Sequence, residues 1–437
     1  MNKRDEYLDG VCREVRFRAA HKYLRRELSA HIDDKKAALE ASGVTDAESE
    51  AIRAMGNPAE TGRALDALHR PRVEWVVIAC VLALSVMGIA ALYVGSSYGP
   101  FDDPSRIFWD NFSWRPLALI LVAMLFIMFI DYTWLAKLRY LFFSVGLAYL
   151  IIYIAYSLID PHGYGYAWLG GYGWLGPTAA IIIPTVLFIL GMTGFLQRHS
   201  RWRAGDIALL AIMFIASIFA LRLMSALYAM LLSAVYCAIT VTALASGSLS
   251  RKRLWLSITI SVVLFAFIFL VSRELLPGNA YAGLENSGNT FQVQRMLKGA
   301  QLVGPSPIFI QHGSGPLSAS TTGYILAAAI GAYGWLFGLG IIGVFGAFLT
   351  RMIIRSTKVA YLYGRLLSVG ICTYFAARYI LFVMINLGLF GQLSVHLPFV
   401  SFGTFNFLTD ALLTGVFLSV WRRSSFMCKD ARILITV

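Results

Sequence analysis

Charge is scarce in this chain. Of its 437 residues only 14% are Asp, Glu, Lys or Arg, against 58% hydrophobic, and the mean hydropathy is +0.67. That balance excludes an ordinary water-soluble protein and points to an all-α, polytopic membrane protein. Cysteine is thin as well: Cys12, Cys80, Cys237, Cys372 and Cys428 are scattered, with no CxxC pair. Their spacing gives neither a disulfide framework nor a metal site, and three of them fall in apolar runs, where cysteine packs as a small hydrophobe. The N-terminus lacks the apolar core of a secretory signal peptide, being highly charged and helix-forming.

The charge that is present is unevenly placed. Residues 1–72 hold 14 Lys/Arg and 13 Asp/Glu, which leaves 23 Lys/Arg against 11 Asp/Glu in the rest of a chain of net charge +13. Membrane topology accounts for this excess, and no nucleic-acid partner is needed. In the head, apolar residues from Tyr7 to Leu39 recur at helical spacing and predict one or two amphipathic helices over residues 3–42. Gly43 ends that run. Thr45-Asp46-Ala47-Glu48 reads as a capping box for a helix from Ala47 to Met55. Asn57-Pro58-Ala59-Glu60 opens another that runs to about Leu68, with Asn as N-cap and Pro at the first helical position.

Ten apolar runs follow that are long enough to span a bilayer, at about 74–95, 115–131, 138–159, 177–196, 205–220, 223–247, 254–271, 323–350, 362–390 and 403–421. Arg222 falls between the fifth and sixth. Basic residues mark alternate connections: Arg198, Arg201 and Arg203; Arg251, Lys252 and Arg253; Arg351, Arg355 and Lys358; Arg422 and Arg423. With ten spans these share one side, which the positive-inside rule makes the cytoplasm, together with both termini. The expected domains are a cytoplasmic helical head (1–72), a transmembrane domain (73–423) and a cytoplasmic tail (424–437). Residues 272–322 form the single long outer loop, with a helix expected from about Thr290 to Leu302. Loops of this length are often functional.

One short stretch departs from the pattern of a plain span. Leu397-Pro398-Phe399-Val400-Ser401-Phe402-Gly403 interrupts two apolar runs, and irregular backbone at membrane depth survives only where protein buries it or it lines a cavity. Together with the ten spans and the long seventh loop, this stretch resembles the SEDS family (shape, elongation, division and sporulation) and its LPF-I-SYGGSS turn. Asn386-Leu387-Gly388 matches the end of that family's preceding span, and Thr322-Gly323-Tyr324-Ile325-Leu326-Ala327 is similar to its TDFIFA. Trp168-Leu169-Gly170, followed by Pro177, is a weaker match. The head, through Ala51-Ile52-Arg53-Ala54-Met55-Gly56-Asn57-Pro58, resembles the helical prefix domains that precede some bacterial permeases and membrane regulators.

The SEDS resemblance implies a bacterial plasma-membrane protein of peptidoglycan biogenesis, cell shape, division or sporulation. It also implies lipid II polymerisation, with a transpeptidase-type penicillin-binding protein or other wall or divisome protein as partner. The departures bear on that activity. The family's aspartate falls on Gly323, its second carboxylate near Ala179 or Ala180, and its QPDLGT on about Leu221–Leu227. Glycosyl transfer needs a positioned base and a stabilised diphosphate, the latter from cations or a divalent metal, and glycine supplies neither. The expected groove residues are therefore Thr322, Gly323, Asn386, Pro398, Ser401 and Gly403, without the family's catalytic carboxylate. Substitutes to consider are Glu285, then Glu274, Asp102, Asp103, Asp110 and Asp160, with His312 and His396 as outer-face bases. Arg378 and Asp410 lie inside spans nine and ten; they read as an intramembrane pair, or Arg378 as a diphosphate ligand. The favoured reading is a non-catalytic member that binds a lipid-linked precursor or a partner, without cofactor. The alternatives are an active glycosyltransferase with a relocated carboxylate and a precursor transporter.

Overall fold

The computed structural model describes residues 3–16, 18–68, 72–97, 114–159, 177–197, 204–246, 283–312, 323–389, 395–401 and 403–424. All regular structure among these is helical. By internal contacts the chain divides into two compact units, Met1–Val73 with Trp421–Val437, and Glu74–Val420.

The first unit contains four helices: α1 (Lys3–Glu14), α2 (Arg18–Ala41), α3 (Ala47–Arg53) and α4 (Pro58–Leu68). Their apolar faces meet in a core of Tyr7, Leu8, Val11, Leu28, Ile32 and Ala51, with Leu39, Ile52, Met55 and Leu65 at its edge. The α3 cap differs from the expected one. Asp46, not Thr45, is the N-cap, and its Oδ1 accepts from Ser49 N at 3.3 Å. Asn57 Oδ1 accepts from Ala59 N at 2.9 Å, as its place before Pro58 requires.

The second unit is a multi-pass membrane bundle. Its helices are α5 (Trp75–Ser97), α6 (Trp114–Phe129), α7 (Thr133–Lys137), α8 (Arg139–Ile159), α9 (Pro177–Gln197), α10 (Ala204–Met224), α11 (Ala226–Ala245), α12 (Gly283–Gly299), α13 (Pro307–His312), α14 (Ile325–Tyr333), α15 (Trp335–Ser356), α16 (Leu362–Asn386) and α17 (Thr404–Arg423). By length and composition four described segments can each cross a bilayer: Trp75–Tyr93, Ala226–Ala245, Trp335–Ser356 and Leu362–Asn386. Shorter apolar segments lie in α6, α8, α9 and α10. The seventh expected span, 254–271, lies outside the described residues.

Three expectations are corrected. Arg222 is in the last turn of α10 and not in a gap; the break comes at Ser225, whose extended backbone (φ −158°, ψ 118°) separates α10 from α11. The loop helix α12 begins earlier than Thr290, and the shorter α13 follows it. Span eight is not one helix. The chain turns at Gly334 (φ 94°, ψ 172°) between α14 and α15, and Cβ at Gly338 would meet Ile330 Cγ1 at 2.3 Å. So α14 bends back onto the first turns of α15, and it also packs against α5, α12 and α16. All residues from Ile325 to Ala332 are buried.

Candidate functional site

The 395–401 segment is a closed turn. Leu397 N donates to Ser401 Oγ at 2.9 Å, while Ser401 N and Val400 N donate to Leu397 O at 3.0 and 3.3 Å. These bonds satisfy polar backbone that water cannot reach, as irregular chain inside a bundle requires. Pro398 is buried at the apex. Phe399 adopts φ 64°, a left-handed conformation that costs of order 1–3 kcal/mol in a bulky residue and persists only where packing dictates it. The packing here is aromatic: Phe399 meets Phe348 and Phe407 edge-on, with centroids 6.0 and 5.5 Å away. Gly88 of α5 lies directly against the turn, where a Cβ would be 2.8 Å from both Val400 Cα and Val400 O. Gly403 (φ 146°) leads into α17 and accepts from Phe407 N at 2.9 Å.

A second junction joins α14 to α16. Asn386 is fully buried; its Nδ2 donates to Gly323 O at 2.9 Å and to Phe382 O at 2.9 Å, and its Oδ1 accepts from Ala327 N at 3.1 Å. Gly323 and Asn386, read separately from the sequence, are therefore in contact. Thr322 lies outside the described residues.

Arg378 and Asp410 form the expected pair. Both are essentially inaccessible (0% and 1% exposed), and Arg378 Nη1 donates to Asp410 Oδ1 at 2.5 Å. A lone charge inside the bundle is expensive, so the partner is what allows the arginine to sit there. Arg378 Nη2 also donates to His396 O at 2.9 Å, tying span nine to the residue before Leu397. The guanidinium lies 5.2 Å from the Tyr374 ring centroid. Asp410 is thus engaged by a cation. His396 has a buried Nδ1 with no hydrogen-bond partner among the described residues. The backbones of Glu285 and His312 lie in α12 and α13, and their side chains lie outside the described residues. Glu274, Asp102, Asp103, Asp110 and Asp160 lie outside them entirely.

One ion-pair cluster was not anticipated. Glu74, at the start of the first span and 3% exposed, accepts from Arg351 Nε at 2.9 Å and also pairs with Arg355. Two arginines four residues apart at the end of one span share a helical face, which was its only sequence signal. Among the described residues no three His, Cys, Asp or Glu side chains gather as metal ligands.

No family model matches the chain, and no curated protein matches it by sequence. Solved structures do match by shape. One chain of a peptidoglycan synthase complex, described for its coordination of polymerization and crosslinking, superposes with a TM-score of 0.58 at 16% identity, covering 80% of this chain and 98% of that one. Rod shape determining protein RodA of Thermus thermophilus gives 0.52 at 16% identity, covering 80% and 97%. An aspartate-to-alanine variant of the same RodA gives 0.53 at 17% identity over the same shares. The chain has the RodA fold. The SEDS architecture expected from the Leu397–Gly403 turn is therefore present at an identity too low for sequence matching.

Proposed function

We propose that this protein is a SEDS-type component of the bacterial plasma membrane that acts in peptidoglycan biogenesis, and through it in cell shape, division or sporulation, without polymerising glycan itself. It binds lipid II or a related lipid-linked precursor, or a wall-synthesis enzyme, and scaffolds or regulates synthesis. In this reading both termini face the cytoplasm, and residues 1–72 form an interaction module there.

The observation that carries the reading is the state of Gly323. Where the SEDS pattern has its aspartate, this chain offers a glycine whose carbonyl is occupied by Asn386 Nδ2. A backbone carbonyl is too weak a base to take a proton from an acceptor hydroxyl. Asp410, a buried carboxylate of the bundle, is engaged by Arg378. The RodA fold supports the cell-wall setting, and the likeness to a chain of a peptidoglycan synthase complex supports a transpeptidase-type penicillin-binding protein as partner.

The test is a pair of measurements on the purified full-length protein with lipid II. The reading expects saturable binding and no glycan chains. Glycan product from the unmodified chain overturns the non-catalytic reading and directs attention to Glu285. Absence of binding, both to lipid II and to a co-expressed penicillin-binding protein, overturns the scaffold reading.

A further inference from the structure

The segment between α12 and α13 has an unusual backbone economy. Residues 301–306 have no regular structure, yet four of their backbone polar groups are paired with the break in span eight. Gly304 N donates to Tyr333 O at 3.0 Å and Ser306 N to Gly331 O at 2.8 Å, while Trp335 N donates to Gln301 O and Leu336 N to Leu302 O, both at 3.0 Å. The fit is close enough that a Cβ at Gly334 would lie 2.7 Å from Leu302 O. Irregular chain at membrane depth needs its backbone groups satisfied internally, and these bonds satisfy the carbonyls of Gln301 and Leu302 and the amides of Gly304 and Ser306.

The side chains point to the same environment. From Gly299 to His312 there is no Asp, Glu, Lys or Arg. Leu302 and Val303 are 69% and 64% exposed, beside Leu336 and Leu339 of α15 at 62% and 52%. Those α15 side chains belong to a segment apolar enough to cross a bilayer. Arg351 marks the other end of the same helix. About 22 Å of helix separates it from Leu336, less than the ~30 Å of hydrocarbon in a typical bilayer. Leu336 therefore lies within the apolar slab, and Leu302, hydrogen-bonded to it, shares its depth. The apolar surface of the loop is continuous with the lipid-facing surface of a span.

We infer that the Leu302–Val303 tip of the outer loop is inserted into the bilayer, among the acyl chains of the leaflet opposite Arg351. The loop between spans seven and eight is then anchored in lipid at one point, and not held wholly in water above the bundle. This inference does not depend on the wall-synthesis reading.

The test places a bimane label at Val303→Cys, and separately at Leu302→Cys, in the full-length chain with its five cysteines replaced by alanine, reconstituted in phosphatidylcholine vesicles. Leu339→Cys serves as the lipid-facing control and Lys298→Cys as the aqueous control. Insertion predicts loss of emission in brominated phosphatidylcholine at 302, 303 and 339, with iodide quenching only 298. Iodide quenching at 303 equal to that at 298 overturns the inference. Protection of 303 from both quenchers also overturns it, since protein contact and not lipid would then cover the tip. Hydroxyl-radical footprinting of the unmodified chain in nanodiscs needs no substitution: insertion predicts no labelling of Leu302 and Val303, and strong labelling there contradicts it.

Discussion

The carboxamide of Asn386 holds the carbonyl of Gly323 at 2.9 Å, in the interior of the bundle and across a sequence separation of 63 residues. The same side chain accepts from Ala327 N, so one asparagine fixes the entry to α14 against the end of α16. Replacing Asn386 by Leu leaves Gly323 O and Ala327 N buried without that partner. Each such group costs about 1–3 kcal/mol. A clear drop in the thermal unfolding midpoint in detergent is expected for Asn386→Leu, and an unchanged midpoint would show that the junction is not needed.

The Arg378–Asp410 pair predicts a large loss of stability for the single change and a much smaller one for the double. Arg378→Met strands Asp410 in a dry interior and should destabilise by about 3–5 kcal/mol. The double change Arg378→Met with Asp410→Leu removes both charges and should recover most of that loss. Because Arg378 also holds His396 O, the double variant should still loosen the Leu397–Ser401 turn, read as faster amide exchange at Leu397 and Ser401. A double variant as unstable as the single one contradicts the account.

Gly88 and Gly343 should respond differently to alanine. A Cβ at Gly88 meets the backbone of Val400 at 2.8 Å, which cannot rotate away, whereas nothing lies within 4 Å of a Cβ at Gly343. Gly88→Ala should destabilise by about 1–3 kcal/mol through overpacking. Gly343→Ala should be neutral or stabilising by about 0.5–1 kcal/mol, since it removes glycine from a helix interior. Unfolding midpoints of the two variants, measured side by side, check the contrast.

In the head, Arg4 donates to Asp33 Oδ2 at 2.8 Å, and this hydrogen bond holds the Asp33 carboxyl below its ordinary range. The folded pKa is thus below the unfolded one. The contribution is complete above the unfolded value near 3.9 and is lost as pH falls through the folded value. Asp33→Asn should therefore speed amide exchange in α1 and α2 at neutral pH, after correction for intrinsic rates, and make no difference in strong acid. A difference that persists in acid contradicts the pairing.

The spans were legible because apolar length is a strong signal and charge is rare enough here to show through. Arg378 and Asp410 stood out for the same reason, as isolated charges in apolar runs. The break in span eight was not legible. Gly334 lies in Ala332-Tyr333-Gly334-Trp335-Leu336, and glycine is ordinary in membrane helices, so neither composition nor periodicity separates a helical glycine from a turning one. What decides it is the approach of Leu302 and Val303, a long-range fact. Glu74 was overlooked because an acid at a span boundary is unremarkable until Arg351 and Arg355 are seen to converge on it. The choice of Asp46 over Thr45 as cap turned on one residue of register between two good capping side chains. The turn at 397–401 was visible from its Pro, Ser and Gly, while the strained Phe399 inside it was not, since its conformation is imposed by Phe348, Phe407 and Gly88.

The most direct test of the proposed non-catalytic reading is lipid II polymerisation by the purified chain compared with its Gly323→Asp variant. The proposed reading predicts no glycan product from the unmodified protein and measurable product from Gly323→Asp, which returns the carboxylate that the SEDS resemblance places at this position. Glycan chains made by the unmodified protein would contradict it.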